Sequence, residues 1–342
     1  MAASIIGEVQ GAPMHPEAAG NLVLDDSSDL SALKNLAQRG STNGAELWVQ
    51  LGHAGALTPK EIGTPLGPST LDLPGLRARA MTLQEIRALP DQFAQTAHRA
   101  EALGFGGAQI HAAHGFLLSQ FLSPLFNRRS DEYGGSLVSR MRLVLEVAEA
   151  VRSVVSPGFT VTIKLNSSDE LQGGLEQSEA LQVIKALDDR GLDLIDISGG
   201  TYFPDASASS NRSGKGPYFL DFATEARKET SVPLMTTGGF KSRVDAEQAI
   251  RSGAIDVVGL ARAMVLDPLL PTTWANGGGG PRFPTFQNSV PGGVTAWYSM
   301  ALQALADDRA YDGVHDAILA KQQLDELTIG MSAVWRQAFQ GK

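Results

Sequence analysis

Residues Gly106 to Gly135 read GGAQIHAAHGFLLSQFLSPLFNRRSDEYGG, and this segment indicates how the rest of the chain is organised. It starts with a short apolar run, Ala108 to Ile110, that is typical of a buried strand. His111 and His114 follow directly, and two neighbouring imidazoles can titrate or donate hydrogen bonds near neutral pH. In a parallel α/β barrel the carboxyl ends of the strands carry the chemistry, so these histidines are the first candidate site residues.

The composition is that of a globular enzyme without a nucleic-acid partner. The 342 residues, 43% of them hydrophobic, accommodate one (β/α)8 barrel of about 250 residues and a tail. The 37 Asp and Glu residues outnumber the 28 Lys and Arg residues, and a net charge of −9 is unsuited to binding a phosphate backbone. The absence of cysteine excludes disulfides, thiolate ligands and a cysteine nucleophile. Because no apolar run approaches the ~20 residues of a membrane span, and the start does not resemble a signal peptide, we expect a cytoplasmic protein.

Apolar, β-branched runs alternate with helical patterns along the chain, as expected for a parallel sheet covered by helices on its outside. We identify seven strand signals: Ser4–Gln10, Glu46–Leu51, Ala108–Ile110, Thr160–Asn166, Leu192–Ser198, Val232–Thr236 and Ile255–Val258. A closed barrel requires eight strands. The sequence therefore predicts an α/β fold of the barrel type with one strand unaccounted for.

Helix signals fill the intervals between these strands. Helices are predicted at Asp29–Arg39 with Ser28 as its N-cap, Thr82–Leu103 with a capping box, Ser136–Val155, Ser178–Arg190, Leu220–Lys228 and Ser242–Arg251. The interval from Gly55 to Ala78 shows no periodicity and is predicted to be a long loop. A Pro- and Gly-rich linker follows the last strand, and a helical tail follows the linker. We divide the chain into a barrel domain, residues 1–275, and a linker with its tail, residues 276–342.

Glycine-containing turns follow the last two strands, at Gly238-Gly239 and at Gly259-Leu260-Ala261-Arg262. In barrels this region commonly binds a phosphate through backbone N–H groups and a helix N-terminus. Small residues let the backbone approach the anion, and Arg262 can add a charge-assisted hydrogen bond. Tight turns without a ligand are the alternative. The spacing matches neither a Walker loop nor a dinucleotide fingerprint.

Two polar residues interrupt the predicted strands. Lys164 lies between Ile163 and Leu165, and a buried lysine is rare unless it is paired or functional. It can be a Schiff-base amine, a structural ion-pair partner, or a cation that faces an electron-rich cofactor edge. Gln50 ends its strand with an amide that both donates and accepts, which suits the edge of a heterocycle. Either residue can instead be a hydrogen-bonded polar residue of the barrel core.

The histidines also admit a metal hypothesis. His53 follows a predicted strand as His111 does, so His53, His111 and His114 are a conceivable zinc site. No cluster of Asp or Glu at the other strand ends completes such a site. His111 and His114 can equally be structural residues of the loop, without a ligand.

Several of these segments resemble the old yellow enzyme family of FMN-dependent NAD(P)H oxidoreductases. HAAHGFLLSQFLSPLFNRRSDEYGG is similar to the family's signature, and IIGEVQ, LWVQLGHAG, VTIKLN, ISGG, TTGGF and VVGLAR occur in the family's order. The resemblance extends from Ile5 to Pro268. It implies a (β/α)8 TIM barrel with FMN at its mouth, reduced by NADH or NADPH and reoxidised by a small electron acceptor such as an activated alkene or a quinone.

The resemblance also implies roles for individual residues. Gln50 would hydrogen-bond the flavin pyrimidine ring, and Lys164 would stabilise the anionic reduced flavin. The turns with Gly238, Gly239, Gly259 and Arg262 would bind the phosphate. His111 and His114 would hydrogen-bond the carbonyl or nitro oxygen of the acceptor, as an oxyanion hole does.

Two features depart from the family pattern. The family usually has a tyrosine, the proton donor, two residues after the second histidine, where this chain has Phe116. IIGEVQ resembles the family's second strand, so the barrel is expected to lack its first βα unit. An open sheet exposes unpaired edges, and we expect weak FMN binding and a tendency to associate, including as a homo-oligomer. The hypotheses are therefore an FMN-dependent oxidoreductase, a truncated non-catalytic remnant, and a metal-dependent hydrolase.

Overall fold

The structure, a computed structural model, describes residues 2–203, 216–288, 290–311 and 315–339. Within these ranges the strands are β1 (Ala3–Gln10), β2 (Leu22–Val23), β3 (Glu46–Leu51), β4 (Leu66–Gly67), β5 (Leu71–Leu73), β6 (Leu76–Ala80), β7 (Gly107–Ala112), β8 (Thr160–Asn166), β9 (Leu194–Ser198), β10 (Leu234–Thr237) and β11 (Val257–Gly259). The helices are α1 (Leu30–Gly40), α2 (Leu83–Ala102), α3 (Leu117–Leu122), α4 (Leu137–Val154), α5 (Gln177–Leu187), α6 (Leu220–Ala226), α7 (Arg243–Arg251), α8 (Arg262–Leu266), α9 (Leu270–Ala275), α10 (Gly293–Ala306) and α11 (Ala317–Phe339).

One parallel sheet of eight strands organises the fold, in the order β11-β10-β9-β8-β7-β3-β1-β2. It contains all seven predicted strands and the two-residue β2, which pairs with the end of β1. The sheet is curled into a half-barrel, and in the described part of the chain β2 and β11 are its two ends. The α/β, barrel-type prediction is confirmed.

The capping signals place most helix boundaries correctly. The Thr82 side chain accepts from the Glu85 backbone N–H, and the Glu85 carboxylate accepts from the Thr82 backbone N–H. These two hydrogen bonds form the predicted capping box. The N-caps of α4 and α7 are Ser136 and Ser242, as predicted. The N-cap of α1 is a correction, because Asp29 rather than Ser28 accepts two backbone N–H bonds of the first turn.

The predicted loop between Gly55 and Ala78 is wrong in part. It contains β4, β5 and the start of β6, which form a small separate sheet. The segment after the histidines also forms a helix, α3, that the sequence analysis did not predict. These elements are too short to show a periodicity. Contacts with distant residues stabilise the small sheet, whose Leu71 and Ala78 pack with Phe126 and Phe203.

Side-chain alternation along the long strands gives the sheet one apolar and one polar face. On β8 the residues of the helix-facing apolar core alternate with three buried polar residues, Thr162, Lys164 and Asn166. The neighbouring strands continue the polar inner face with Gln109 and His111 of β7 and with Asp196 and Ser198 of β9. The inner face of the half-barrel is thus lined with polar side chains.

The helices of the tail pack near both ends of the sheet. Trp297 of α10 shares an apolar cluster with Leu266 of α8, the helix that follows the end strand β11. Trp335 of α11 packs with Ala19 and Ile62. Ala19 lies just before β2 in the chain, and Ile62 lies just before β4 of the small sheet. The helical tail is therefore confirmed, whereas its separation into a domain of residues 276–342 stays a prediction. Among the described helices, none combines the length and the apolar character needed to cross a bilayer.

Candidate functional site

A hydrogen-bonded row of polar side chains crosses the inner face of neighbouring strands. Gln50 Nε2 donates to Gln109 Oε1 at 2.6 Å, and Gln109 Nε2 donates to Asp196 Oδ2 at 3.3 Å. The same carboxylate accepts from Lys164 Nζ through Oδ2, and from Thr237 Oγ1 at 3.2 Å through Oδ1. The row contains amides that both donate and accept, together with one charge pair. Such groups suit the edge of a heterocyclic ligand.

Lys164 is an ion-pair partner of Asp196, which is one of the three alternatives left open above. The two residues are paired in the register of β8 and β9, and their side chains are 11% and 1% exposed. An unpaired charge at this depth would be strongly destabilising. Sequence reasoning missed Asp196. The available signal was a single acidic residue inside the apolar run Leu194–Ser198.

The two histidines lie side by side at the carboxyl end of β7. His111 Nδ1 accepts from the Ala113 backbone N–H at 3.2 Å, so the proton of the neutral ring is on Nε2. His114 has a left-handed backbone with φ of 62°, and its Nε2 lies 2.8 Å from Ser198 Oγ. The Asn166 side chain accepts from the His114 backbone N–H at 3.0 Å. The ring centroids are 5.1 Å apart in an edge-to-face arrangement.

Both imidazoles are neutral near pH 7. Burial lowers the pKa of His111 well below its ordinary value, and the adjacent His114 and Lys164 lower it further. Burial, with a smaller contribution from Lys164, lowers the pKa of His114 to about 3. A neutral imidazole keeps one N–H donor, so the pair offers two uncharged donors.

Two carboxyl groups were not singled out from the sequence: Glu8, which lies beside His111, and Glu17, which is close enough to Glu8 to raise its pKa. Glu8 Oε1 lies 3.8 Å from His111 Nε2, and Glu8 Oε2 accepts from Gln10 Nε2 at 2.9 Å. Burial and the proximity of Glu17 raise the pKa of Glu8 well above its ordinary value. Burial also raises the pKa of Glu17 to about 7. The site therefore contains carboxyl groups that hold protons at pH values where exposed carboxyls have lost them.

The glycine turns meet at the same edge of the sheet. Thr237 of β10 pairs with Gly259 of β11, so the turns that follow the two strands are neighbours. Gly238 and Gly239 have φ of 126° and 85°, which only glycine adopts readily. A Cβ on Gly259 would lie 2.0 Å from Thr237 Oγ1, so a larger residue does not fit. Arg262 begins α8, and its Cζ lies 5.7 Å from the ring centroid of Tyr298.

The third histidine of the zinc hypothesis makes other contacts. The His53 ring stacks on His15 at 4.2 Å, and its Nδ1 accepts from the Gly55 backbone N–H at 3.0 Å. Across the described ranges, no group of three or more His, Asp or Glu residues is placed to hold a metal ion. The geometry therefore gives no support to a site formed by His53, His111 and His114.

Known proteins match most of this chain. Residues 5–278 match the model of the NADH:flavin oxidoreductase / NADH oxidase family. An NADH-dependent flavin oxidoreductase of Neonectria sp. is 38% identical over 305 residues, which cover 79% of this chain and 40% of that protein. A protein of the same description from Hypocrea jecorina is 34% identical over 302 residues, covering 79% of this chain and 75% of the relative.

A solved structure shares the fold of this chain. The solved structure of an old yellow enzyme homologue from Zymomonas mobilis superposes with a TM-score of 0.70 at 24% identity, covering 80% of this chain and 79% of that chain. The present chain spans less than half the length of the Neonectria relative. The sequence matches nevertheless cover the strands that carry the candidate site. The chain belongs to the NADH:flavin oxidoreductase / NADH oxidase family.

Proposed function

We propose that this chain is an FMN-dependent oxidoreductase that passes electrons from NADH or NADPH to a small electron-poor acceptor, such as an activated alkene or a quinone. Family membership supports the flavin and the nicotinamide. The observation that carries the site assignment is the register of β7 and β8, which pairs His111 with Lys164. This register places the imidazoles on the same inner face of the sheet as the row of polar side chains.

The residues present fit FMN. The glycine turns at Gly238-Gly239 and Gly259, with Arg262, offer backbone N–H groups and a cation for the phosphate. Gln50 and Gln109 offer donors and acceptors for the edge of the flavin ring. Bound FMN would supply the two-electron hydride chemistry that no side chain provides.

The histidines are proposed to anchor the acceptor. His111 donates through Nε2–H because its Nδ1 is occupied by the Ala113 N–H. Ser198 contacts His114 at Nε2, which leaves the His114 Nδ1 for a ligand. Two donors on one carbonyl or nitro oxygen polarise the adjacent double bond. Because both rings are neutral, they can stabilise developing negative charge without transferring a proton of their own.

The test is the absorbance spectrum of the purified chain before and after addition of FMN, followed by oxidation of NADH and of NADPH. After FMN is added, the spectrum of bound flavin and oxidation of the nicotinamide are expected. His114→Ala should leave flavin reduction intact and slow acceptor reduction by about 100-fold, because alanine offers no hydrogen-bond donor to the acceptor oxygen. A protein that never retains FMN would be the non-catalytic remnant, and one with stoichiometric zinc and no flavin would be a metalloenzyme. Either result would contradict the proposal.

A further inference from the structure

Phe116 occupies the position at which the old yellow enzyme family usually has a tyrosine as proton donor. The Phe116 side chain is 2% exposed, and its ring lies 5.0 Å from that of His111. A phenyl ring has no proton to give. Reduction of an activated alkene nevertheless needs a proton on the carbon next to the carbonyl group. Another residue at this edge must supply it, or water must.

Tyr202 brings a phenol to the same place from the segment that follows β9. Its ring centroid lies 5.7 Å from that of His114 and 5.6 Å from that of Phe116. The side chain is 60% exposed, so a ligand at the histidines and water can both reach it. Surrounding protein and the carboxyl groups of Glu17 and Glu8 still raise the pKa of Tyr202 to about 12. The phenol is therefore protonated at neutral pH.

The backbone around Tyr202 is fastened to the histidine loop. The Tyr202 N–H donates to the His114 carbonyl oxygen at 3.0 Å, and Thr201 forms a parallel bridge with His114. A Cβ on Gly115 would lie 2.0 Å from Thr201 Oγ1, so the two segments are in close contact. The next residue, Phe203, stacks on Phe126 with 3.9 Å between ring centroids. These contacts fix the backbone that carries the Tyr202 side chain next to the histidine loop.

We propose that Tyr202 is the acid that protonates the α-carbon of an activated-alkene acceptor, in place of a residue at position 116. The inference rests on the proposed function. Bound reduced FMN would supply the hydride, with its two electrons, for the β-carbon of the alkene. The negative charge moves to the carbonyl oxygen held by His111 and His114. The Tyr202 O–H bond then breaks, its proton bonds to the α-carbon, and water reprotonates the tyrosinate.

The carboxyl groups are less well placed for this step. Glu8 is 3% exposed and lies beside His111 Nε2, with one oxygen held by Gln10. Glu17 has a suitable pKa of about 7. However, it is the Tyr202 ring that lies against the rings of both His114 and Phe116. Glu17→Gln is therefore the competing variant in the test.

The kinetic test separates the two half-reactions of the FMN-reconstituted chain by rapid mixing. Tyr202→Phe should slow reduction of cyclohexenone by about 100-fold or more, the usual effect of losing a general acid. Reduction of benzoquinone, which is protonated on oxygen, and reduction of the flavin by NAD(P)H should stay within about twofold of wild type. Tyr133→Phe is the matched control, because Tyr133 donates to Glu146 of α4 outside the site. Adding Phe116→Tyr to Tyr202→Phe should recover alkene reduction.

A readout independent of turnover uses protein labelled with 3-fluorotyrosine. The five tyrosines give few fluorine resonances, and the one absent from Tyr202→Phe identifies Tyr202. Binding of cyclohexanone to the oxidised protein should shift this resonance and leave that of Tyr133 in place. An unshifted Tyr202 resonance, or normal alkene reduction in Tyr202→Phe, overturns the assignment. Slow reduction in Glu17→Gln would then identify Glu17 as the acid, and normal reduction in both variants would leave water as the proton source. Failure of the wild type to accept electrons from either nicotinamide overturns the proposed function, and this role with it.

Discussion

Lys164 and Asp196 face each other across β8 and β9, and their ion pair places a cation and an anion side by side on the inner face. The cation expected beside the flavin is thus partly neutralised by a residue of the next strand. The carboxylate also accepts from Gln109, which in turn accepts from Gln50. A change at either charge should therefore affect both the stability of the fold and the reduction potential of the bound flavin.

Lys164→Met should lower both the free energy of unfolding and the midpoint potential of the bound flavin. The substitution leaves Asp196 as an uncompensated buried carboxylate, so the free energy of unfolding should fall by about 3–5 kcal/mol. It also removes a cation that favours the anionic reduced flavin, so the midpoint potential should fall. Denaturant titration and potentiometric titration measure the two effects. Asp196→Asn is the matched variant, for which the midpoint potential should rise instead. An unchanged potential in Lys164→Met would leave this lysine with a structural role only.

The stability of the fold should depend on pH through His114. The pKa of His114 is about 3 in the folded protein, whereas a histidine in the unfolded chain has a pKa of 6.5. Between these pH values the unfolded chain therefore binds a proton that the folded chain does not. Stability that is complete above pH 6.5 is therefore lost as the pH falls toward 3. At pH 5 the loss is up to about 2 kcal/mol.

His114→Asn should remove this component, and asparagine tolerates the left-handed backbone at φ of 62°. Urea unfolding of both proteins at pH 8 and pH 5 measures the difference. The raised pKa values of Glu8 and Glu17 make the fold more stable as the pH falls, which is opposite to the effect of His114. Both proteins contain these carboxyl groups, so their contribution cancels in the comparison. An equal pH dependence in the two proteins would contradict the assignment to His114.

Arg262→Ala should weaken FMN binding by about 1.5–3 kcal/mol, the value of a hydrogen bond to a charged group. The physical reason is the proposed contact of the guanidinium with the phosphate beside the glycine turns. Titration of the flavin-free protein with FMN, followed by fluorescence, gives the dissociation constant. Arg251→Ala is the control, because Arg251 lies at the end of α7 and pairs with Glu247 on the surface. Unchanged FMN affinity in Arg262→Ala would remove this arginine from the phosphate site.

Trp335→Ala should destabilise the fold by about 3–5 kcal/mol, as expected for removing a buried aromatic side chain. Trp335 is 4% exposed and joins α11 to Ala19 and Ile62. Its loss should release α11 and increase association through the apolar surface it covers. Val334→Ala, at a side chain that is 66% exposed, should change stability by less than about 0.5 kcal/mol. Denaturant unfolding and size-exclusion chromatography compare the variants, and equal behaviour would show that the tail does not stabilise the barrel.

Local signals in the sequence determined seven strands of the parallel sheet, the N-caps at Thr82, Ser136 and Ser242, and the glycine turns. Each depends on the spacing or the conformational freedom of residues within one element, and such effects act over a few positions of the chain. The histidine segment was recognisable because its sequence resembles a family signature. The loop between Gly55 and Ala78 was not, because its short strands form only against residues such as Phe126 and Phe203.

Only the tertiary structure decided which side chains meet. Lys164 and Asp196 are 32 residues apart, and strand register alone brings them together. The raised pKa of Glu8 comes first from burial, which no local pattern expresses. The contact of Tyr202 with Phe116 depends on the pairing of Thr201 with His114. Strand composition follows from the sequence, but register and burial follow from how the whole sheet packs, and these set the charges and proton donors of the site.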